Sequence, residues 1–135
     1  MEGIIVKDTG KYGRGVFALR PFKKGELIEA APVIAMPQSE RKYVRKTKLD
    51  DYFFNWGESK KEPAICLGYG SLYNHSYTPN ARFINNLKNE TIDFYAIRDI
   101  EKGEEITVNY NGDPDSKEKV WFKVWDDAEN QRTME

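Results

Sequence analysis

Apolar positions in the first third of the chain come in short runs that glycine and proline interrupt. Short apolar runs bounded by turn residues predict β-strands rather than helices. Proline is also poorly tolerated inside a helix. The candidate strands are Ile4–Val6, Gly15–Ala18, Leu27–Glu29 and Val33–Ala35.

One segment has the pattern of a short helix. In SERKYVRKTK, residues 39–48, Tyr43, Val44 and Thr47 would share one face. Ser39 stands where an N-cap is expected. We therefore predict one helix that begins at Ser39.

The second half of the chain again favours strands. In TIDFYAI, residues 91–97, Ile92, Phe94 and Ala96 alternate with Asp93, Tyr95 and Ile97, which predicts a strand with at least one buried face. DYFFNW, AICLG and EEITVNY are further candidates. The pattern predicts a mainly β domain of many short strands, with one or two short helices.

Composition narrows the class of protein. The 135 residues fit one folded domain, and 39% hydrophobic and 13% aromatic residues argue against disorder. Lys and Arg number 21 against 22 Asp and Glu, so the overall charge does not predict binding to nucleic acid or a membrane. The basic run RKYVRKTK, residues 41–48, leaves a nucleic-acid-binding β domain as an alternative, although a solvated helix face explains it better.

Cysteine and histidine are scarce. Cys66 and His75 are the only residues of their types, which excludes an internal disulfide and argues against a structural zinc site within the chain. The apolar runs are too short to cross a bilayer, and an acidic residue stands where a signal peptide would carry positive charge. These features predict a soluble intracellular protein without a metal, in either cytoplasm or nucleus.

Two common catalytic motifs fit poorly. GRGVFA, residues 13–18, matches a dinucleotide-binding glycine pattern, but Pro21 would break the helix that such a site needs. A nucleophile triad would need Ser or Cys beside His75, yet Cys66 lies in an apolar run where a thiol is inert.

Two polar corners remain, and their order along the chain is informative. YNHSYTPNA, residues 73–81, reads as a turn, and VNYNGD, residues 108–113, places Tyr110 at the end of a strand. Together with YGRGVFALRPFKKGELI, DYFF and IEKGEEIT, these segments resemble the SET-domain protein-lysine methyltransferases from about Val6 to Asp113. The resemblance implies small curved sheets with a C-terminal pseudoknot that brings NHS beside VNY.

The resemblance also implies a site. Tyr110 would be the catalytic tyrosine, and Tyr52, Phe83 and Tyr95 would line the lysine channel. If Tyr95 pointed inward, its hydroxyl would favour fewer transferred methyl groups. The expected contacts of S-adenosylmethionine, whose product is S-adenosylhomocysteine, are Gly13, Arg14, Gly15, Asn74, His75, Tyr110, Trp121 and Phe122, with Trp125 as a further aromatic candidate.

The chain lacks the cysteine-rich zinc segments of many histone-directed members and resembles short stand-alone viral and bacterial members. We predict a SET domain at 1–113 and an aromatic tail at 114–135, in a monomer or homodimer. The expected partner is a lysine-bearing protein, such as a histone-like one that the acidic residues Asp113, Asp115, Asp126 and Asp127 would favour. The alternative is a catalytically silent SET-fold binding or scaffold module.

Overall fold

Short strands dominate the computed structural model of the protein, which describes residues 2–120. A four-stranded sheet has the order β1-β2-β9-β6, and a five-stranded sheet has the order β4-β5-β3-β8-β7. The strands are β1 (Ile4–Asp8), β2 (Arg14–Ala18), β3 (Leu27–Ala35), β4 (Phe54–Trp56), β5 (Glu62–Cys66), β6 (Asn74–His75), β7 (Ala81–Asn86), β8 (Thr91–Ala96) and β9 (Glu105–Val108).

The four-stranded sheet joins segments that are far apart in sequence. β2 pairs antiparallel with β9, where Val16 lies opposite Ile106. The two residues of β6 pair parallel with Thr107 and Val108 of β9. The expectation that NHS and VNY would meet is therefore confirmed, because β6 and β9 are hydrogen-bonded neighbours.

The five-stranded sheet is built around β3. This strand pairs with β8 over Leu27–Pro32 and with β5 over Val33–Ala35. The two strands predicted here are thus one strand with a bulge near its start. Pro32, which suggested a break, lies where pairing passes from β8 to β5, so its missing N–H group is tolerated.

The predicted ten-residue helix is wrong in extent. The segment forms a 3-10 turn at Gln38–Glu40, the α-helix α1 at Arg41–Val44 and a second 3-10 turn at Lys48–Asp51. Ser39 lies inside the first turn rather than capping a helix. Thr47 instead accepts the Leu49 N–H and starts the second turn, which separates the helix from β4 and limits the DYFFNW strand to three residues.

The core lies between the two sheets. One contiguous buried cluster contains Val16 and Ile106 from the first sheet and Ile92 and Phe94 from the second. Burying a side chain as large as Phe94 contributes about 2 kcal/mol. As predicted, Ile92, Phe94 and Ala96 are buried, and the cluster holds both sheets around the β6–β9 junction.

The chain after β9 returns to the body of the domain. Val120 is buried against Tyr77, whose hydroxyl donates to the Glu118 carbonyl at 2.9 Å. Trp121, Phe122 and Trp125, predicted to close over the adenine or the channel mouth, lie outside the described residues, as do Asp126 and Asp127. Within residues 2–120, no helix is long and apolar enough to span a bilayer.

Candidate active site

Tyr110 is held from two directions at the end of β9. Its hydroxyl donates a hydrogen bond to the Tyr73 carbonyl at 2.6 Å, and its backbone N–H donates to Nδ1 of His75 at 2.9 Å. Because the phenolic proton points at Tyr73, the oxygen faces any other partner as an acceptor. The parallel pairing of β6 with β9 makes both contacts possible.

His75 is a buried structural residue of this corner. Nδ1 accepts a hydrogen bond, so the proton of the neutral ring lies on Nε2. The ring meets the edges of Tyr77 and Tyr110, at centroid distances of 4.5 and 5.3 Å. These contacts fix the position of the His75 ring beside Tyr110.

Asn74 connects the turn at residues 73–81 with the segment at residues 13–15 through hydrogen bonds. Its amide nitrogen donates to the Arg14 carbonyl at 2.9 Å and to Oε2 of Glu105 at 2.7 Å. The Tyr12 hydroxyl donates to the other carboxylate oxygen of Glu105 at 2.5 Å. A Cβ at Gly15 would collide with both the Glu105 carboxylate and the Asn74 amide, so close packing requires glycine there.

A cavity with several aromatic residues in its lining opens beside Tyr110. It measures about 1360 Å³, and its lining includes Tyr52, Tyr73, Phe83 and Tyr110. Phe54, another lining residue, meets Phe83 edge to face at 5.2 Å. The structure thus brings the predicted residues Tyr52, Phe83 and Tyr110 to one cavity.

Tyr95 is not brought to this cavity. Phe94, its neighbour on β8, stacks on Tyr73 in the core, with ring centroids 4.2 Å apart. Since successive strand residues face opposite sides, Tyr95 projects from the other face of the sheet. Tyr95 is absent from the residues that line the cavity, so the conditional role of its hydroxyl in methylation degree has no geometric support.

The phenol of Tyr110 is kept protonated. Burial raises the pKa of Tyr110 well above its ordinary value, and Tyr52 and Glu105 raise it further. The group is therefore neutral at physiological pH and acts through its dipole and lone pairs. Burial likewise raises the pKa of the Cys66 thiol to about 12, which agrees with the expectation that Cys66 is no nucleophile.

Comparison with known proteins identifies the fold. The SET domain family profile matches residues 13–111. This chain belongs to the SET-domain family. The family consists of S-adenosylmethionine-dependent methyltransferases, and the predicted family, fold class and enzyme class are confirmed.

Relatives of this SET domain include proteins of very different length. The chain is 33% identical over 119 residues to a Schizosaccharomyces pombe histone-lysine N-methyltransferase specific for H3 lysine-37, covering 87% of this chain and 76% of that protein. It is 35% identical over 124 residues to a Plasmodium falciparum variant-silencing SET domain-containing protein, covering 82% of this chain but only 5% of the relative.

Solved structures agree with the fold. A crystal structure of a Plasmodium falciparum candidate histone methyltransferase matches with a TM-score of 0.64 and 32% identity, covering 82% of this chain and 94% of that one. A humanized mutant of the Chaetomium thermophilum Polycomb Repressive Complex 2 matches with a TM-score of 0.63 at 22% identity, covering 79% of this chain and 14% of that one, which supports the fold alone.

The corner of this SET domain fits the cationic methyl donor of the family. Within residues 2–120, the side-chain hydrogen bonds of Asn74 use only its amide nitrogen, which leaves Oδ1 to accept from a ligand ammonium. A Cβ at Gly13 would meet nothing within 4 Å, so the space beside that backbone is open. In the same part of the chain, no three His, Cys, Asp or Glu side chains converge on a metal site.

Three residues that build this site were not found from the sequence: Glu29, Tyr73 and Glu105. Glu29 had a usable signal, because a carboxylate within an apolar run must find a partner when it is buried. Glu105 lies in the segment IEKGEEIT, which carried the family resemblance, but no role was assigned to its carboxylate. Their contacts depend on β3, β6 and β9 meeting in space.

Proposed function

We propose that this protein transfers a methyl group from S-adenosylmethionine to a lysine side chain of a histone-type protein, with Tyr110 as the catalytic tyrosine. One observation supports the assignment best: Tyr110 lines the same cavity as Tyr52 and Phe83, and its hydroxyl donates a hydrogen bond to the Tyr73 carbonyl at 2.6 Å. In this proposal Tyr52 and Phe83 form the lysine channel, and Asn74 with the backbone of residues 13–15 forms the cofactor wall.

The channel would prepare the nucleophile. A lysine amine has a pKa of about 10.4 in water, and only its neutral form attacks a methyl group. An aromatic channel lined by Tyr52 and Phe83 solvates the ammonium poorly, so it would lower that pKa and raise the neutral fraction. The bound cofactor supplies an electrophilic methyl group on a positively charged sulfur.

Tyr110 would orient the reacting nitrogen rather than take its proton. Since its O–H is engaged by Tyr73, the oxygen presents lone pairs toward the channel. These can accept an N–H or weak C–H contact and turn the nitrogen lone pair toward the methyl group. Such alignment is a large source of rate acceleration in bimolecular transfers. The new N–C bond forms as the C–S bond breaks, and the methylated ammonium loses its extra proton to solvent.

The proposal of a histone-type substrate rests on the relatives, because the charges around the cavity do not favour a basic substrate. The fission-yeast relative acts, by its name, on histone H3. Around the cavity four acidic residues are matched by four basic ones: Asp50, Asp51, Glu58 and Asp113 against Arg41, Arg45, Lys60 and Arg82. We also propose that the tail at 114–135 packs on the same domain and that Trp121 and Phe122 cover the cofactor.

A transfer assay tests the proposed function. The protein is incubated with methyl-tritiated S-adenosylmethionine and separate recombinant histones, and the labelled residue is located by mass spectrometry. We expect label on lysine, and a Tyr110→Phe protein run in parallel should lose it. Donor binding by calorimetry without transfer to any histone or to cell lysate would instead favour the silent binding module.

A further inference from the structure

A buried carboxylate lies behind the catalytic corner. Glu29 on β3 is only 7% exposed. Its Oε1 accepts from the Tyr73 hydroxyl at 2.8 Å, and its Oε2 accepts from the Tyr69 backbone N–H at 3.0 Å. Tyr69 and Tyr73 flank the 3-10 turn at Gly70–Leu72, so one carboxylate holds both ends of the turn that leads into β6.

An apolar residue would be easier to bury here. Burial raises the pKa of Glu29, which means that the surroundings disfavour its charge. The turn itself packs closely against β3 and β5, because a Cβ at Gly70 would collide with the Cys66 side chain and press on Ala31. A carboxyl group buried at such a place is better explained by what it positions than by stability.

We propose that Glu29 is a positioning residue for methyl transfer, acting through Tyr73 on the hydroxyl of Tyr110. This inference rests on the proposed function. The Tyr73 side chain binds Glu29, while the Tyr73 carbonyl accepts the Tyr110 hydroxyl. The position of the Tyr73 carbonyl is fixed on both sides. Glu29 binds the turn that precedes it, and the pairing of β6 with β9 fixes the chain that follows it.

The path from Glu29 to Tyr110 is rigid. The Tyr73 ring is 1% exposed and stacks on Phe94 with an interplanar angle of 19°. A ring packed this tightly transmits a displacement at its hydroxyl to its backbone. Misplacing a reacting group by about 1 Å can lower a rate by about 10²-fold, so a small shift of the carbonyl is expected to reduce turnover.

Two variants and their combination test the proposal. Glu29→Leu removes both carboxylate acceptors at similar volume, and Tyr73→Phe removes the hydroxyl while keeping the ring and the carbonyl. We expect each to lower kcat by roughly 10-fold or more, with donor Kd from calorimetry within about 2-fold of wild type. Because Glu29→Leu already removes the contact that Tyr73→Phe removes, the double variant should fall no further than the worse single variant.

Asp93→Asn is the matched control. Asp93 is a carboxylate on the neighbouring strand β8, 8% exposed, that accepts from Thr91 Oγ1 and Asn86 Nδ2 and does not line the cavity. It should lower the melting temperature and leave kcat unchanged. Unchanged kcat in Glu29→Leu and Tyr73→Phe, independent losses that multiply, or an equal kcat loss in Asp93→Asn would overturn the proposal.

A structural measurement separates this inference from the proposed function. If the wild-type protein shows no transfer activity, the proposed function is refuted, but the link from Glu29 to Tyr110 is tested separately. Crystal structures of the folded Glu29→Leu and Tyr73→Phe variants then decide the inference. We expect the 2.6 Å contact between the Tyr110 oxygen and the residue 73 carbonyl to lengthen or break in both, and its retention in both would refute the positioning role.

Discussion

Replacing Tyr110 with phenylalanine removes one oxygen from the centre of the proposed site. The variant loses the 2.6 Å hydrogen bond to the Tyr73 carbonyl but keeps the backbone contact to His75. A typical hydrogen bond contributes about 0.5–1.5 kcal/mol, and a buried partner left unsatisfied costs about 1–3 kcal/mol. In a domain of this size a loss of that order lowers the melting temperature by roughly 3–10 °C. The variant should therefore fold.

The effect on turnover should be much larger than the effect on stability. A net loss of about 1 kcal/mol corresponds to only about 5-fold, whereas losing the alignment of amine and methyl is expected to lower kcat by about 10²-fold or more. Donor affinity should stay near wild type, because the proposed cofactor wall at Asn74 and Gly15 is untouched. Single-turnover transfer to a histone substrate measures the rate, and calorimetry measures the affinity.

The pH profile gives a second test of the same reasoning. Since burial raises the pKa of Tyr110, the phenol is neutral from pH 6 to pH 9, where the enzyme would be assayed. Turnover should rise with pH as substrate lysine loses its proton, in wild type and variant alike. Tyr43→Phe, which changes a tyrosine 60% exposed and away from the cavity, serves as the control. Equal kcat in Tyr110→Phe, or loss of the pH-dependent rise in that variant alone, would refute the orienting role.

Four further substitutions or treatments follow from the same geometry. Gly15→Ala should weaken donor binding in calorimetry, since its Cβ would displace the Glu105 carboxylate and the Asn74 amide; unchanged binding would contradict this packing. Asn74→Ala should raise the donor KM more than it lowers kcat in steady-state kinetics at saturating peptide. A larger effect on kcat than on the donor KM would mean that Asn74 serves catalysis. Cys66 should resist iodoacetamide at pH 8 until urea unfolds the protein, because its pKa is about 12; mass spectrometry reads the labelling, and rapid native labelling would disprove its burial. Tyr95→Phe should leave the number of transferred methyl groups unchanged by mass spectrometry, and an altered product would place Tyr95 at the channel after all.

Sequence pattern predicted the strands best where burial is regular. The alternation through Ile92, Phe94 and Ala96 marked β8 because a buried face repeats every second residue. The helix was overestimated because Tyr43 and Val44 suggested a shared face, yet Tyr43 is exposed and only Val44 is buried. Without a continuous apolar face to pack, a long helix has little tertiary support, and the chain forms short turns instead.

The family and the chemistry were readable from short motifs. The segments around Asn74–His75 and Tyr110 carried the resemblance to SET domains, and the structure places them side by side. Tyr52 and Phe83 were also assigned to the cavity that they line. Tyr95 does not line that cavity, because a family resemblance does not state which face of β8 a neighbouring aromatic residue occupies.

Short strands, membership of the SET methyltransferases and the motif positions of Tyr110, Asn74 and His75 can all be read from the amino-acid sequence. Three contacts cannot: Glu29 accepts from the Tyr73 hydroxyl, the Tyr73 carbonyl accepts from the Tyr110 hydroxyl, and Glu105 accepts from the Asn74 amide. The difference lies in how far apart in the chain the interacting residues are. Strand pattern and turn chemistry arise between residues a few positions apart, whereas these hydrogen bonds join side chains and carbonyls from 31 to 44 positions apart that meet only when β3, β6 and β9 pack around one core.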